Sequence, residues 1–534
     1  MRTSRALELV DSGWGVAAAF LAALGVWWLQ AVAMPLGPGR DIQTYLGAYV
    51  ELFQRHPIDL GYVLGRSPLA GLVTGGLLDL AGGALAEPVM SLLFALSITA
   101  WFLAARRYGT LAGLVTAVLL LAYPGYGILF HTLASDSVFA AAFAGWSLLA
   151  VRVLERPSTA GFALLGLGVG VLALVRPGNE ALVVLALALL LVPVAWGRRL
   201  AWAAVFAVSV AVVVGGWTAN NGLRWDGYTF SRAGNANVPF YRVFLTDRIV
   251  RPDNGPHSRA LAAAVERDLL PKEPYRSYHI TLQQFFDRPT ARMWADLLTL
   301  SDIRWGWHSN DAILRQVALE AIRAHPLQYL RGVTESAVEL LYRPLFRAPA
   351  PTGVPSGPKS GGAGGPTIAV GGKRLPKPTE GEAIPSPAIS TVTTPDDSIH
   401  TIWTSPTSHH LVFDHPGAAA RYAALHRRMG ELAARFPHRQ GNSTLALRLD
   451  QASRWYLPPI LFLVVGLVAL AWRRPERGLA LVFPTLAGLG VVLVTAAGVP
   501  PTAEFSVPVA PAFVLLAAGA LLGPKAPRRI ADGP

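Results

Sequence analysis

The feature that most constrains this chain is a series of apolar blocks, each long enough to cross a lipid bilayer. The hydrocarbon core of a bilayer is about 30 Å thick, so a crossing helix needs roughly 20 mostly apolar residues. Ten such stretches run at residues 13–34, 88–105, 111–129, 138–154, 159–175, 181–196, 200–217, 456–472, 479–497 and 505–522. The first is preceded by Arg2 and Arg5 and leads to Met34-Pro35 instead of a small-residue cleavage site, so it reads as a retained anchor and not a signal peptide. The expected fold class is an all-α polytopic membrane protein of about ten transmembrane helices. Amphipathic surface helices are expected in its first outer loop, and a mostly helical or irregular domain outside the membrane.

Charge supplies the orientation. Charged residues make up 15% of the chain against 52% hydrophobic ones, and the net charge is +13. In a soluble protein that excess would raise nucleic-acid binding, but here the short-loop arginines flank apolar blocks and carry topological information. An eleventh block, residues 68–82, decides the arrangement. If it lies in the interface, Arg2/Arg5, Arg106/Arg107, Arg152/Arg156, Arg198/Arg199, Arg473/Arg474/Arg477 and Lys525/Arg528/Arg529 all fall on the cytoplasmic side; if it spans, most are turned outward. It is short and contains Asp79 and several glycines, which suits an interfacial helix. The chain is therefore expected in the cytoplasmic (inner) membrane with both termini in the cytoplasm. Residues 1–217 form an N-terminal module of seven spans with a first outer loop at 35–87, residues 218–455 an outer domain, and residues 456–534 a module of three spans. Within the outer domain, 351–387 is rich in Gly, Pro, Ser and Thr without apolar periodicity and reads as a linker or disordered insertion. With no cysteine in the chain, disulfides, thiolate metal sites and cysteine nucleophiles are excluded.

In the first outer loop, Ile42, Tyr45, Leu46, Tyr49 and Phe53 follow helical spacing, which predicts an amphipathic helix over 42–55 with Asp41 at its start. An Asp there is a favoured helix N-cap; it is also a carboxylate at headgroup depth, directly after Arg40. A second surface helix is expected to open at Arg66-Ser67-Pro68, with proline in its first turn.

These segments resemble the GT-C superfamily of integral membrane glycosyltransferases. The resemblance is to the branch containing protein O-mannosyltransferases, the lipid A aminoarabinose transferase and many bacterial enzymes that use polyprenyl-phosphate sugars. It rests on Asp41-Ile-Gln-Thr-Tyr45 after the first span, Ser67-Pro68-Leu-Ala-Gly71, Ser135-Asp136-Ser137 after the third span, Arg176-Pro177 after the fifth, His325-Pro326-Leu-Gln-Tyr329-Leu330, and Phe505-Ser-Val-Pro508-Val-Ala-Pro511 opening the last. It covers the first 220 residues and the last 80 well, and the region between Trp225 and Trp455 poorly. Many relatives carry an acidic pair in the first loop, whereas Ile42 follows Asp41 here. The resemblance implies a GT-C-like enzyme of the bacterial cell envelope. It would move a hexose or pentose from a polyprenyl-phosphate donor to a glycan, lipid or protein acceptor on the outer face.

Such a reaction needs a base for the acceptor hydroxyl and cations for the departing phosphate. Asp41 is the expected base and Asp136 the second acid, although Ser135-Asp136 before an apolar run also fits a helix cap. Arg66 and Arg176 are the expected phosphate ligands. Arg176 is the only basic residue in a short outer connection between spans after the first loop, where snorkelling to headgroups or pairing with Glu180 competes with donor binding. Arg40, Tyr45, His131 and Glu504 are placed to line the cavity. Trp225, Trp305 and Trp307 suit sugar stacking or an interfacial belt, and Arg224, Arg232 and Arg242 lie near enough in sequence to approach the donor. His409, His410, Asp414 and His415 are metal-ligand types in no recognised spacing; no cofactor is called for, and a divalent metal is compatible. The competing readings are a transporter or lipid flippase, which would carry ionisable residues deep within spans and repeated halves, and a non-catalytic cell-envelope polymer-binding protein.

Overall fold

The computed structural model describes residues 13–524 except 274, 343–366, 371–372, 377–389, 406–407, 474 and 476–477. The chain is an all-α polytopic membrane protein. Helix α1 (Gly13–Ala33) leads to three surface helices, α2 (Ile42–Leu52), α3 (Leu60–Gly65) and α4 (Pro68–Ala81). Then follow α5 (Gly83–Arg106), α6 (Thr110–Leu121), α7 (Pro124–Leu129), α8 (Ser135–Glu155), α9 (Thr159–Val175), a 3₁₀ helix (Pro177–Leu191) and α10 (Trp196–Trp225). Of these, α1, α5, α8 and α10 are long and apolar enough to cross a membrane, and α6, α9 and the 3₁₀ helix are shorter apolar helices.

Several expected spans differ in form, each for a local reason. The block at 111–129 breaks between α6 and α7 because Tyr123, preceding Pro124, is extended (φ −95°, ψ 93°), the conformation that proline imposes on its predecessor. The block at 181–196 is the 15-residue 3₁₀ helix; at about 2.0 Å per residue it reaches roughly 30 Å, the depth an α-helix would need some 20 residues to cover. Helix α10 has 30 residues and does not stop at 217; at 1.5 Å per residue it is about 45 Å long and projects beyond the bilayer. The glycines at 166 and 170 let α9 and α10 pack closely: a Cβ at 166 would collide with the Phe206 carbonyl, and one at 170 would lie 2.5 Å from Val213 Cβ.

The two ends of the bundle differ in charge. Arg107 at the end of α5 pairs with Glu155 at the end of α8 at 3.5 Å, and Trp202 near the start of α10 bonds Thr159 at the start of α9 at 3.3 Å. The segments carrying Arg106/Arg107, Arg152/Arg156 and Arg198/Arg199 therefore share one end, as their alternation along the chain demands. Arg2, Arg5, Lys525, Arg528 and Arg529 lie outside the described residues.

Helix α4 lies across the opposite end. Ser67, just before it, donates to the Ala173 carbonyl at 2.8 Å, while Asp79 near its other end pairs with Arg428 at 2.5 Å and Arg435 at 3.2 Å, both from the large domain. It packs against α2, and Gly75 is required because any Cβ would enter the Tyr49 ring.

The segment after α10 builds a helical core from α11 (Arg232–Asn237), α12 (Pro256–Asp268), α13 (Leu282–Asp287), α14 (Ala291–Trp305) and α15 (Ala312–Ala324), where Phe240, Phe244, Phe285, Leu297 and Leu314 are buried together. Helix α16 (Pro326–Tyr342) follows. The domain is less purely helical than its composition suggests: β5 (Ser390–Thr394), β6 (Asp397–Ser405) and β7 (Ser408–Phe413) form an antiparallel sheet in the order β5-β6-β7. Runs of Ser, Thr, Val and Ile suit a pleated surface, and Thr394 pairs with Asp397 across a two-residue Pro395-Asp396 loop. The stretch 351–387 lies outside the described residues apart from a short antiparallel pair, β3 (Thr367–Val370) with β4 (Lys373–Pro376). The remaining helices are α17 (Ala418–Ala433), α18 (Ser443–Ser453), α19 (Pro459–Arg473), α20 (Gly478–Gly498), α21 (Ala503–Ser506) and α22 (Ala510–Leu522). The last expected span is thus divided around Pro508, where a helix interior tolerates proline badly. At the basic end, Arg473 reaches the Gly523 carbonyl at 3.5 Å.

Candidate active site

A two-residue parallel bridge assembles the site. β1 (Gly37–Pro38) pairs with β2 (Thr132–Leu133), and the Gly37 and Gly39 amides donate to the His131 and Leu133 carbonyls at 3.0 and 3.2 Å. Only glycine fits at 39, where a Cβ would stand 2.5 Å from that of Ala134. The bridge brings the start of α2, with Arg40 and Asp41, beside the start of α8, with Ser135 and Asp136.

Neither aspartate is spent on capping. Asp41 occupies the N-cap position of α2 with φ 61°, but its side chain makes no cap hydrogen bond. It instead accepts from Arg66 Nη2 at 3.0 Å, with Arg40 Nε 3.9 Å away. In α8 the N-cap is Ala134, and the Asp136 carboxylate accepts from Arg176 Nη2. Arg176 is released from α9 because Pro177 follows it, leaving it extended at φ −143° and ψ 117°. The Ser67–Ala173 hydrogen bond then places the two arginine-bearing turns side by side.

Phe505 joins the clusters. The Arg40 guanidinium lies 4.7 Å from its ring centroid and that of Arg176 4.9 Å, and Arg176 also lies 5.3 Å from the Phe139 ring. Cations near an aromatic face are attracted by its quadrupole. Beside it, Glu504 Oε2 is 3.4 Å from Arg40 Nη1, and burial outweighs the nearby arginines to push its pKa up. Tyr45 is buried and donates to Ser135 Oγ at 2.8 Å; burial raises its pKa, so its hydroxyl stays a donor. Asp41, Asp136, Arg66, Arg176, Arg40, Tyr45 and Glu504, expected from the sequence to act together, thus gather at one end of the bundle. His131 lies apart in character: its imidazole is buried, stacked on Trp27 at 4.4 Å, and held neutral with its pKa lowered to about 3 by burial.

Other residues singled out above are engaged elsewhere. Arg242 is buried, bidentate to Asp247 at 2.9 Å and bonded to Ser336 and to the Ala496 carbonyl, which ties the large domain to the end of α20. Arg232 pairs with Asp302 and Asp311 and lies 3.6 Å from the Trp307 ring centroid. Arg224 rests on Trp225 at 4.5 Å. Trp225 and Trp307 are buried together with Leu52, Leu60 and Leu64, so neither offers an open ring face, and Trp305 packs against the domain core. His400 pairs with Asp414 at 2.7 Å and His415 with Asp397 at 3.4 Å; among the described residues no group of three His, Asp or Glu side chains has metal-binding geometry. Phe505 and Ser135 carried the resemblance but were not expected as site residues; nothing short of their packing marks their place here.

No family model and no curated protein matches the chain. Two solved structures of ArnT from Cupriavidus metallidurans are similar. The one bound to undecaprenyl phosphate is 16% identical over 96% of this chain and 78% of that one, with a TM-score of 0.35. The apo structure is 18% identical over 65% and 67%, with a TM-score of 0.32. Likeness at this level transfers no residue role, and the chemistry rests on the geometry above.

Proposed function

We propose that this chain is a membrane glycosyltransferase that takes a sugar from a polyprenyl-phosphate donor and passes it to an acceptor on the outer face of the cytoplasmic membrane. The observation that carries the reading is the convergence of two carboxylate–guanidinium pairs, Asp41–Arg66 and Asp136–Arg176, at the end of the bundle opposite its arginine-rich turns. In this scheme Asp41 takes the proton of an acceptor hydroxyl. The acceptor oxygen bonds to the anomeric carbon, and the bond from that carbon to the phosphate oxygen breaks with its electron pair leaving on polyprenyl phosphate. Arg66 and Arg176 stabilise the charge growing on that oxygen, and Asp136 orients Arg176. Glu504 and Phe505 hold Arg40 beside the two pairs. The arrangement suits a donor sliding in from the bilayer and an acceptor arriving from water. The test is to reconstitute the protein in nanodiscs with a panel of polyprenyl-phosphate sugars and cell-envelope acceptors. Consumption of one donor with release of polyprenyl phosphate is expected. Movement of lipid across liposome membranes with every donor left intact would overturn the reading in favour of a flippase.

A further inference from the structure

Helix α16 (Pro326–Tyr342) belongs to the segment that patterning assigns to an outer aqueous domain, yet it carries a line of exposed large apolar side chains. At 100° per residue, Leu327, Leu330, Thr334 and Val338 fall within an arc of about 80°, with Tyr342 about 40° further round. Leu327, Leu330, Val338 and Tyr342 are 79%, 58%, 48% and 61% exposed. Ser336 and Leu340 on the adjoining face are buried, as is Leu341 where the stripe reaches the last turn, and the two leucines join the same core as Leu463, Val492 and Phe513 of the membrane helices. Gln328, Arg331, Glu335 and Glu339 form a polar flank beside Val338 and Tyr342, with Arg331 paired to Glu335 at 2.7 Å.

The seat of the helix identifies what covers these side chains. Tyr329 donates to the Ala497 carbonyl at 3.3 Å, and Arg242 joins Ser336 to the Ala496 carbonyl, so α16 is pinned to the last turn of α20, where that span leaves the bilayer. It also packs against α19, whose own exposed residues include Leu461 and Val464. The stripe therefore adjoins surface that already belongs to lipid. A line of exposed large apolar residues with a charged edge is the pattern of a helix lying in a membrane interface, not of one facing water.

We propose that α16 is a membrane-interface helix. Leu327, Leu330, Val338 and Tyr342 lie against lipid acyl chains, and Arg331, Glu335 and Glu339 lie in the headgroup layer. The partner is a lipid bilayer, and the inference stands whatever reaction the protein catalyses.

The absence of cysteine makes the test direct, since Leu330→Cys, Val338→Cys and Glu335→Cys each supply a single labelling site. Each variant of the full chain is spin-labelled in phosphatidylcholine–phosphatidylglycerol nanodiscs, and its accessibility to oxygen and to a water-soluble nickel chelate is measured. Labels at 330 and 338 are expected to meet oxygen more than nickel, and the label at 335 the reverse. Equal nickel access at all three positions would put the stripe in water. Exclusion of both reagents at 330 and 338 would mean a protein partner or a second copy covers it. Either result overturns the proposal. Should Leu330→Cys fail to fold, Leu327→Cys gives the same reading.

Discussion

The two carboxylate–guanidinium pairs of the site are chemically alike and physically opposite. In Asp41–Arg66 both side chains are about one-third exposed, at 34% and 35%; in Asp136–Arg176 they are 8% and 14% exposed. An open pair is held weakly by its own Coulomb energy, because water screens it and the side chains lose rotamer freedom in making it. A nearly buried pair has already lost its water, so removing one member strands the other. The first is therefore free to exchange partners, whereas the second is held in place, with Arg176 also within 5.3 Å of the Phe139 ring centroid and 4.9 Å of that of Phe505.

This contrast can be broken by mutation. The largest expected effect on stability is from Arg176→Gln, which leaves Asp136 buried without its cation and should cost on the order of 3 kcal/mol, read as a loss of thermal stability in detergent. A loss no greater than that of an exposed surface pair would erase the distinction. Next, Asp41→Asn should lower sugar transfer by a factor of about a hundred or more with thermal stability almost unchanged. Because Asp41 makes no cap hydrogen bond, the stability of α2 has nothing to lose there. Near-native turnover of this variant under saturating donor would move the base elsewhere, with Asp136 the first position to examine. For the open pair, Arg66→Gln should shift stability by less than about 1 kcal/mol while weakening donor affinity roughly tenfold, since a hydrogen bond to a charged group contributes about 1.5–3 kcal/mol. Unchanged binding of polyprenyl phosphate would leave Arg66 only a structural partner of Asp41.

The smallest effect concerns pH. Burial raises the folded pKa of Glu504, so between its unfolded and folded values the native state holds more protons than the unfolded chain. Its contribution to stability is therefore full below the ordinary glutamate pKa and falls as pH rises through the raised one. Glu504→Gln should flatten that part of the stability profile, which thermal melts at a series of pH values would detect.

Much of the frame was legible in the sequence because a bilayer imposes length and charge rules on single segments. The apolar helices and the alternation of basic turns follow from counting apolar residues and arginines. The residues of the candidate site stand out singly in the sequence, as carboxylates and arginines after apolar blocks, but their meeting at one place does not. The β1–β2 bridge is two residues long, too short for any periodicity, and it decides that Asp41 meets the start of α8. Both readings of Trp225 and Trp307, sugar stacking and an interfacial belt, gave way to packing, because burial of an aromatic ring depends on which loops close over it.

The sequence by itself determined that this chain is an all-α membrane protein and which of its turns share a side, because those properties depend on the solvent each stretch of chain must face. Tertiary structure alone decided which charges pair, which are open to exchange and where a lone aromatic ring such as Phe505 stands between two cations. Those outcomes depend on distances of a few ångströms between segments hundreds of residues apart, and no local pattern encodes them. The same holds for α16: its apolar stripe is written in the sequence, but only its attachment to the end of α20 shows that the stripe adjoins lipid.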